Sequence, residues 1–174
     1  AEGMVDAEVR EDGSAVIVEV NCETDFVARN ADFRAFVGDV KTIAATGGDI
    51  ETNTEEARTS LVATIGENIK VRRAETLPSD GANFAYVHPG NRIGVILQIK
   101  ADADVNANTA FQTFGKDLCF HIAAMNPLCT RPEDVPTDVI EQEKRVARDQ
   151  LIAEGKPEAM IDKILPGKLK RFFK

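Results

Sequence analysis

The residues that could form a nucleophilic catalytic site are Cys22, Asp25 and His88. A thiol, a carboxylate and an imidazole act together when the imidazole activates the thiol and the carboxylate orients the imidazole. The three residues lie in no local catalytic signature, and His88 stands directly before Pro89, where a turn residue is equally expected. A cysteine-dependent hydrolase is therefore an alternative, and the sequence favours a protein without catalytic residues.

Neither a metal site nor a bound cofactor is expected from the other reactive side chains. The second of the 2 histidines, His121, lies on a helical pattern beside Ile122, which is typical of a partly buried imidazole. The 3 cysteines, Cys22, Cys119 and Cys129, lack the CxxC spacing of a zinc site. The glycines form neither the GxGxxG nor the GxxxxGKS/T pattern. We therefore expect no metal, no cofactor and no directly bound nucleotide.

The composition favours a protein as the partner. Of 174 residues, 43% are hydrophobic, which is enough apolar material for a core. The formal charge of −8 argues against direct binding of nucleic acid. A membrane span needs roughly 18 consecutive apolar residues, and the chain has neither such a run nor a targeting peptide at residues 1–4. We expect a cytoplasmic protein with reduced cysteines, whose sequence begins as if cut from a longer chain.

Asp25 and Phe26 are the strongest candidates for a binding site. An alternating apolar run ends at Val20 and helical spacing begins only at Ala31, so the pair lies at the boundary of two elements. One interpretation is structural: Thr24 or Asp25 caps a helix and Phe26 packs back onto it. The other is that this tip presents Asp25 and Phe26 to a partner.

Residues 1–80 are predicted to form a β-β-α-α-β unit. Alternating runs over 4–9 and 15–20 flank an Asp-Gly turn, which is typical of a β-hairpin. A helix follows from Ala31 to the Gly47-Gly48 pair. Its apolar side chains stand at helical spacing: Phe33, Phe36, Val37, Val40 and Ala44.

A second helix of this unit is predicted over residues 54–68 and a third strand over 69–77. Thr52 and Glu55 have the spacing of a capping box, so we expect them to open the helix. The side chains expected to point inward from this helix are Ala57, Leu61, Val62 and Ile65.

The pattern returns in residues 81–131, which indicates an internal duplication. Residues 95–99 repeat the alternation of 16–20 at a spacing of 79, and the helix face that contains Phe111 and Phe114 repeats Phe33 and Phe36 at a spacing of 78. The pair Asp104-Val105 stands where the first copy has Asp25-Phe26, so the aromatic side chain is special to the first copy. Since the pattern contains no third strand here, we expect either that the second sheet has an open edge or that the chain has lost its end.

Residues 132–174 are predicted to form an antiparallel helical hairpin. Pro136 opens a helix to about Glu154, and a return helix runs over 158–173. The apolar residues of the first helix are Val139, Val146 and Ala153 at a spacing of seven, with Ile140, Ala147 and Leu151 beside them. Those of the return helix are Ile161, Ile164, Leu165, Leu169 and Phe172. Pro166-Gly167 should break or kink it.

The predicted fold class is α+β, with two duplicated β-hairpin-plus-helix subdomains, small antiparallel sheets and a final helical hairpin. Several motifs in this order resemble the translation elongation factor Ts family. They are Glu19-Val20-Asn21-Cys22-Glu23-Thr24-Asp25-Phe26-Val27-Ala28, Ile65-Gly66-Glu67-Asn68-Ile69 with Val71-Arg72-Arg73, Arg92-Ile93-Gly94-Val95, His121-Ile122-Ala123-Ala124 and Pro132-Glu133-Asp134-Val135-Pro136. The resemblance covers nearly the whole chain, although the family's N-terminal helical domain and C-terminal module have no counterpart here.

The resemblance implies a guanine-nucleotide exchange factor that promotes GDP release from the GTPase elongation factor Tu without covalent chemistry. It implies that Asp25 and Phe26 insert between two helices of the GTPase near the nucleotide's magnesium. The partner-contact residues implied are Thr24, Asp25, Phe26, Val27, Ile65, Gly66 and His88. Ile65 and Gly66 would support the contact, and His88 would belong to the surface that rearranges the phosphate-binding loop. A homodimer through the helical hairpin, or a scaffold without exchange activity, is the alternative.

Overall fold

The described residues, 2–101 and 105–173, form five strands and six α-helices in the computed structural model. The strands are β1 (Glu2–Val9), β2 (Ala15–Cys22), β3 (Lys70–Leu77), β4 (Ala82–Val87) and β5 (Gly94–Ile99). The helices are α1 (Asp25–Ala28), α2 (Ala31–Ala45), α3 (Ile50–Ile65), α4 (Thr109–Met125), α5 (Thr137–Ala153) and α6 (Glu158–Phe172). The predicted α+β class is confirmed. Asp104, which was predicted to correspond to Asp25 in the second copy, lies outside the described residues.

The chain separates into two compact units, Ala1–Asn126 and Pro127–Lys174. The first unit contains the five strands and α1 to α4, and the second contains α5 and α6. The finer division into segments 1–80, 81–131 and 132–174 remains a prediction. In the part of the chain that is described, every helix is too short or too polar to cross a membrane.

The first sheet has the strand order β1-β2-β3 and is antiparallel throughout. Successive side chains of a strand point to opposite faces, and every second residue of β2, at Val16, Val18 and Val20, is buried. These valines share one core with Phe33 and Val37 of α2. The predicted hairpin and its amphipathic helix are therefore confirmed.

The start of α3 differs from the prediction. Its N-cap is Asp49, whose carboxylate accepts hydrogen bonds from the Thr52 backbone N–H at 3.2 Å and from the Thr52 hydroxyl at 3.0 Å. The predicted capping box of Thr52 and Glu55 is wrong, because Asp49 engages Thr52 and the Glu55 carboxylate binds Arg58 at 2.7 Å. The helix therefore begins four residues earlier than predicted.

The inner face of α3 was predicted correctly only toward its end. Leu61, Val62 and Ile65 pack against the first core, as predicted. Ala57 is exposed, whereas Thr54 is buried and its hydroxyl donates to the Ile50 carbonyl at 2.7 Å. A threonine can be buried at a helical position because this bond satisfies its hydroxyl.

Strands β4 and β5 form a two-stranded antiparallel sheet, and α4 packs on it around Phe84, Val95 and Cys119. A hairpin followed by a helix therefore occurs twice in the first unit, in agreement with the predicted duplication. The two copies are not packed equally: Phe36 is 4% exposed and its counterpart Phe114 is 56% exposed. The difference arises because α3 packs against α2, while no helix in residues 2–101 or 105–126 does the same for α4.

In the second unit, α5 and α6 pack against each other, which confirms the predicted helical hairpin. The side chains buried at their contact are Ala147, Leu151 and Ile161. The seven-residue series lies to the side of this contact, since Val146 is 43% exposed and Ala153 is exposed as well.

Helix α6 runs unbroken through Pro166, so of the predicted break or kink the break does not occur, and the kink stays a prediction. A proline inside a helix removes one hydrogen bond, because it has no N–H to donate to the carbonyl four residues earlier. Asp162, which carries that carbonyl, lies on the exposed side of the helix. Leu165 and Leu169 remain half-buried on either side of Pro166, and their packing compensates for the lost bond.

Candidate functional site

Phe26 projects from the single turn of α1, and its side chain is 80% exposed. Thr24 is the N-cap of this turn, and its hydroxyl oxygen accepts a hydrogen bond from the Val27 N–H at 3.4 Å. Val27 is 7% exposed and belongs to the first core. The turn is capped by Thr24, as predicted, but Phe26 does not pack back onto it, because Val27 is the apolar side chain that anchors the turn.

The segment that precedes Phe26 is tied to the loop after α3 by reciprocal hydrogen bonds. Glu67 accepts from the Thr24 hydroxyl at 2.6 Å, from the Thr24 N–H at 3.0 Å and from the Glu23 N–H at 3.2 Å. The Glu23 carboxylate in turn accepts from the Asn68 N–H at 3.1 Å. We call these four residues the clasp.

The clasp favours the charged form of the Glu67 carboxyl. The Thr24 hydroxyl is the main cause, followed by the backbone N–H groups of Thr24 and Glu23, and together they lower the pKa of Glu67 below its ordinary value. Hydrogen bonds to a carboxylate have this effect because they stabilise the negative charge. Such charge-assisted bonds are stronger than neutral ones, so the clasp is suited to holding the tip in one position.

Ile65 and Gly66 lead directly into the clasp. Ile65 is half-buried against the first core. Gly66 is the C-cap of α3, with a φ of 82° and an N–H that donates to the Val62 carbonyl at 2.8 Å. A left-handed backbone favours glycine, so Gly66 ends the helix and directs the chain toward Glu67. The structure therefore brings Ile65 and Gly66 to the same end of the unit as Thr24.

A pocket of about 340 Å³ brings α1 together with the loop between β4 and β5. Asp25 and Arg29 line it from α1, and Gly90 and Arg92 line it from the loop. Asp25 and Arg29 form an ion pair at 3.0 Å that is open to solvent. Exposed ion pairs contribute little to stability, so a partner can compete with Arg29 for the Asp25 carboxylate.

His88 lies on the same loop, outside the lining of that pocket. Its side chain is exposed, and its Nδ1 is 2.8 Å from the Tyr86 hydroxyl. Asn91 fixes the loop to β1: its carbonyl accepts from the Val5 N–H at 2.7 Å and its side-chain amide donates to the Val5 carbonyl at 3.3 Å. The loop is thus attached to the sheet that also carries the tip.

The geometry does not support a cysteine nucleophile. Cys22 is buried in the first core and its thiol donates to the Thr24 carbonyl at 3.2 Å. Burial, and then the negative charge of Glu67, raise the pKa of the Cys22 thiol, whereas a nucleophilic cysteine needs a lowered pKa. Among the described residues, this thiol forms a hydrogen bond with neither Asp25 nor His88.

The remaining reactive side chains form no second site in the described part of the chain. No group of three or more His, Cys, Asp or Glu in residues 2–101 and 105–173 is arranged to hold a metal ion. His121 is exposed on α4, so its predicted partial burial is wrong. Cys119 is buried in the second core, and this burial raises the pKa of its thiol.

Three residues of the site were not identified from the sequence: Glu67, Tyr86 and Asn91. Glu67 lies inside a recognised motif, but its spacing gives no sign that it contacts Thr24, which precedes it by 43 residues. Tyr86 and His88 stand two residues apart at the end of a strand, where side chains share a face. That spacing of two could have identified Tyr86 as a neighbour of His88 from the sequence alone.

The chain is similar to known proteins over nearly its whole length. The family model described as Elongation factor TS matches residues 23–174. Elongation factor Ts of Teredinibacter turnerae is 44% identical over 182 residues, which cover 100% of this chain and 60% of that protein. Elongation factor Ts of Nautilia profundicola is 43% identical over 187 residues, which cover 99% of this chain and 61% of that protein. The chain thus spans about three fifths of the length of these curated relatives.

Proposed function

The chain belongs to the elongation factor Ts family, and we propose that it forms the core of a guanine-nucleotide exchange factor that promotes GDP release from elongation factor Tu in the cytoplasm. The observation that carries the proposal is the 80% exposure of Phe26 on a turn that is fixed at both ends. Thr24 caps the turn and Val27 anchors it in the core. A large apolar side chain held rigidly in water is suited to burial in a partner, because little conformational entropy remains to be lost on binding.

In this proposal Asp25 and Phe26 enter the GTPase near the magnesium that binds the nucleotide. Phe26 occupies a gap between two helices, and Asp25 leaves Arg29 to contact the partner. Thr24 and Val27 hold the turn, while Ile65 and Gly66 support it from the side. His88 makes a separate contact from the neighbouring loop. No covalent bond is made or broken in this exchange.

The energy required shows that Phe26 acts together with other contacts. Weakening GDP a thousandfold requires roughly 4 kcal/mol of preference for the loosened state of the GTPase. Burying one phenylalanine contributes about 1.5 to 3 kcal/mol. Disturbance of the magnesium and of the phosphate-binding loop must supply the rest. Because linkage is reciprocal, GDP and this protein weaken each other's binding to the GTPase by the same factor.

The test is the release of fluorescent GDP from elongation factor Tu, followed by stopped flow with the full-length parent protein. We expect the parent to accelerate release and Phe26→Ala to reduce the acceleration at least tenfold. Phe114→Ala is the matched control, because Phe114 is also an exposed phenylalanine but lies on α4, away from the tip. A parent protein that leaves the release rate unchanged, or a Phe26→Ala variant that is fully active, would contradict the proposal.

A second candidate function is self-association through the helical hairpin. The observation in its favour is the exposed flank of α5, where Val146 is 43% exposed and Ala153 is exposed one heptad later. An apolar stripe beside the contact with α6 could pair with the same stripe of a second copy. This function does not require exchange activity, and it applies equally to a scaffold.

A further inference from the structure

The pair Tyr86 and His88 has a geometry that the proposed insertion of Asp25 and Phe26 does not use. Tyr86 is the penultimate residue of β4, and His88 follows the end of that strand. The Tyr86 hydroxyl lies 2.8 Å from Nδ1 of His88, and the two rings are 6.0 Å apart between centroids at an angle of 66°. The imidazole is exposed, but its position is set by a neighbour on the same face of the strand.

The phenol ring of Tyr86 is itself held in place by α4. Its centroid lies 4.4 Å from that of Phe120, with the ring planes tilted by 56°. Aromatic pairs at such distances attract each other beyond the area they bury. Phe120 lies on the outer side of α4 and is 52% exposed. Its contact with Tyr86 explains why an aromatic residue stands at this position. The hydroxyl therefore reaches His88 from a fixed ring.

The direction of the hydrogen bond follows from the chemistry of the two groups. A phenol hydroxyl is a much stronger proton donor than the N–H of a neutral imidazole, and an imidazole nitrogen accepts more strongly than a phenol oxygen. The hydroxyl of Tyr86 therefore donates to Nδ1 of His88. Since a neutral imidazole carries one proton, that proton then resides on Nε2, which has no hydrogen-bond partner among the described residues.

The backbone of the loop is as firmly held as the ring. The Asn91 N–H donates to the His88 carbonyl at 2.9 Å, and the His88 N–H donates to the Ile93 carbonyl at 2.8 Å. Pro89 followed by Gly90, with a φ of 93°, is typical of a type II turn. Together with the two hydrogen bonds between Asn91 and Val5, this turn gives the imidazole one position relative to β1.

We propose that Tyr86 is a positioning residue that fixes His88 as the Nε2–H tautomer, so that the loop presents a directed hydrogen-bond donor to an acceptor oxygen on the GTPase. The inference rests on the proposed exchange function for the identity of the partner, but the tautomer is a property of the chain itself. The acceptor is a peptide carbonyl or a side-chain oxygen. Without the hydroxyl of Tyr86, the ring is free to hold its proton on either nitrogen, and part of the population offers no donor.

The tautomer is tested by imidazole ¹⁵N chemical shifts at about pH 8.5, where a free imidazole is neutral. With 2 histidines in the chain, His121 serves as the internal reference. We expect His88 to show a protonated Nε2 and an unprotonated Nδ1, and Tyr86→Phe to move both shifts toward those of a mixed population while His121 stays unchanged. A protonated Nδ1, or shifts that do not respond to Tyr86→Phe, would overturn the proposal even if the protein is an active exchange factor.

The effect on the partner is tested in the GDP-release assay with the full-length protein. We expect Tyr86→Phe to reduce the acceleration about threefold to tenfold, because it removes both the fixed tautomer and the fixed orientation of the His88 ring and so weakens one hydrogen bond. His88→Gln keeps an amide donor near the place of Nε2, so we expect it to retain more activity than His88→Asn, whose amide is nearer to Nδ1. In the His88→Gln background, Tyr86→Phe should have no further effect, because there is no tautomer left to fix. Equal losses in both backgrounds would assign Tyr86 a role unrelated to the tautomer and would refute the proposal.

Discussion

The hydroxyl of Thr24 donates a 2.6 Å hydrogen bond to the carboxylate of Glu67. The same threonine oxygen caps α1, so one side chain both starts the turn that carries Phe26 and ties it to the loop after α3. A single residue of the clasp therefore controls whether the tip has one position or several. This relationship leads to the first two predictions.

We expect Glu67→Gln to loosen the tip without unfolding the core. An amide has one acceptor oxygen and cannot accept all three hydrogen bonds that the carboxylate receives. Amide hydrogen exchange over residues 23–28 should become faster while exchange in α2 stays unchanged, and the acceleration of GDP release should fall about threefold to tenfold. Glu56→Gln is the matched control on the exposed side of α3. Unchanged protection at residues 23–28 would show that the clasp does not order the tip.

The clasp should weaken in acid. Because the hydrogen bonds of Thr24 and Glu23 lower the folded-state pKa of Glu67 below its ordinary 4.5, ionised Glu67 stabilises the tip above pH 4.5. This contribution is lost as the pH falls through the folded-state pKa. The amide proton shifts of Glu23 and Thr24 should titrate together with a midpoint below 4.5, and Glu67→Gln should abolish that titration. A midpoint above 4.5 would mean that the hydrogen bonds do not favour the carboxylate.

Phe26 and Phe33 should separate function from stability. Phe33 is completely buried in the first core, so Phe33→Ala should cost about 3 to 5 kcal/mol of unfolding free energy. Phe26 is exposed, and Phe26→Ala should change that free energy by less than about 0.5 kcal/mol. Urea unfolding followed by circular dichroism measures both. A large loss of stability in Phe26→Ala would mean that the ring packs onto the protein in solution.

Self-association through the helical hairpin should depend on Val146. Placing a charge in the apolar flank of α5 penalises its burial against a second copy, so Val146→Glu should shift the chain toward monomer in sedimentation velocity. Thr137→Glu adds the same charge to an exposed position on the opposite side of the same helix and serves as the control. If both variants sediment like the unaltered chain, the flank is not an oligomer interface.

The sequence predicted the elements that depend on local periodicity. The β1-β2 hairpin and α2 follow from alternation and helical spacing, and each is stabilised by packing that the same pattern requires. The start of α3 could not be predicted reliably, because Asp49 and Thr52 are both good capping residues and only the preceding turn decides between them. The continuity of α6 at Pro166 could not be predicted for a related reason: the loss is one hydrogen bond, and Leu165 and Leu169 are half-buried on either side of the proline.

The tip of the candidate site could be selected from the sequence, but the hydrogen bonds that hold the tip and the neighbouring loop in place could not. Asp25 and Phe26 could be selected because an aromatic side chain follows a carboxylate at the end of a strand. The support from Glu67 joins positions that are 43 residues apart, and that from Asn91 to Val5 joins positions that are 86 apart. Long-range hydrogen bonds of this kind leave no periodic signal in the sequence, because they depend on how separate elements meet.

In the described residues the second sheet has only two strands, and its unpaired edges affect how readily the chain aggregates. Residues 94–99 of β5 carry no charge and are rich in branched apolar side chains, and among the described residues no strand pairs with the outer edge of β5. Uncharged edges of this type recruit strands from other molecules and seed aggregates. On the first sheet, the edge strand β3 carries the charges of Lys70, Arg72 and Arg73, of which Arg72 and Arg73 pair with Glu19 of β2, and charged edge strands discourage pairing. Since β4 is also uncharged and pairs only with β5 among the described residues, the two edges of this sheet are the segments through which the chain should precipitate at high concentration.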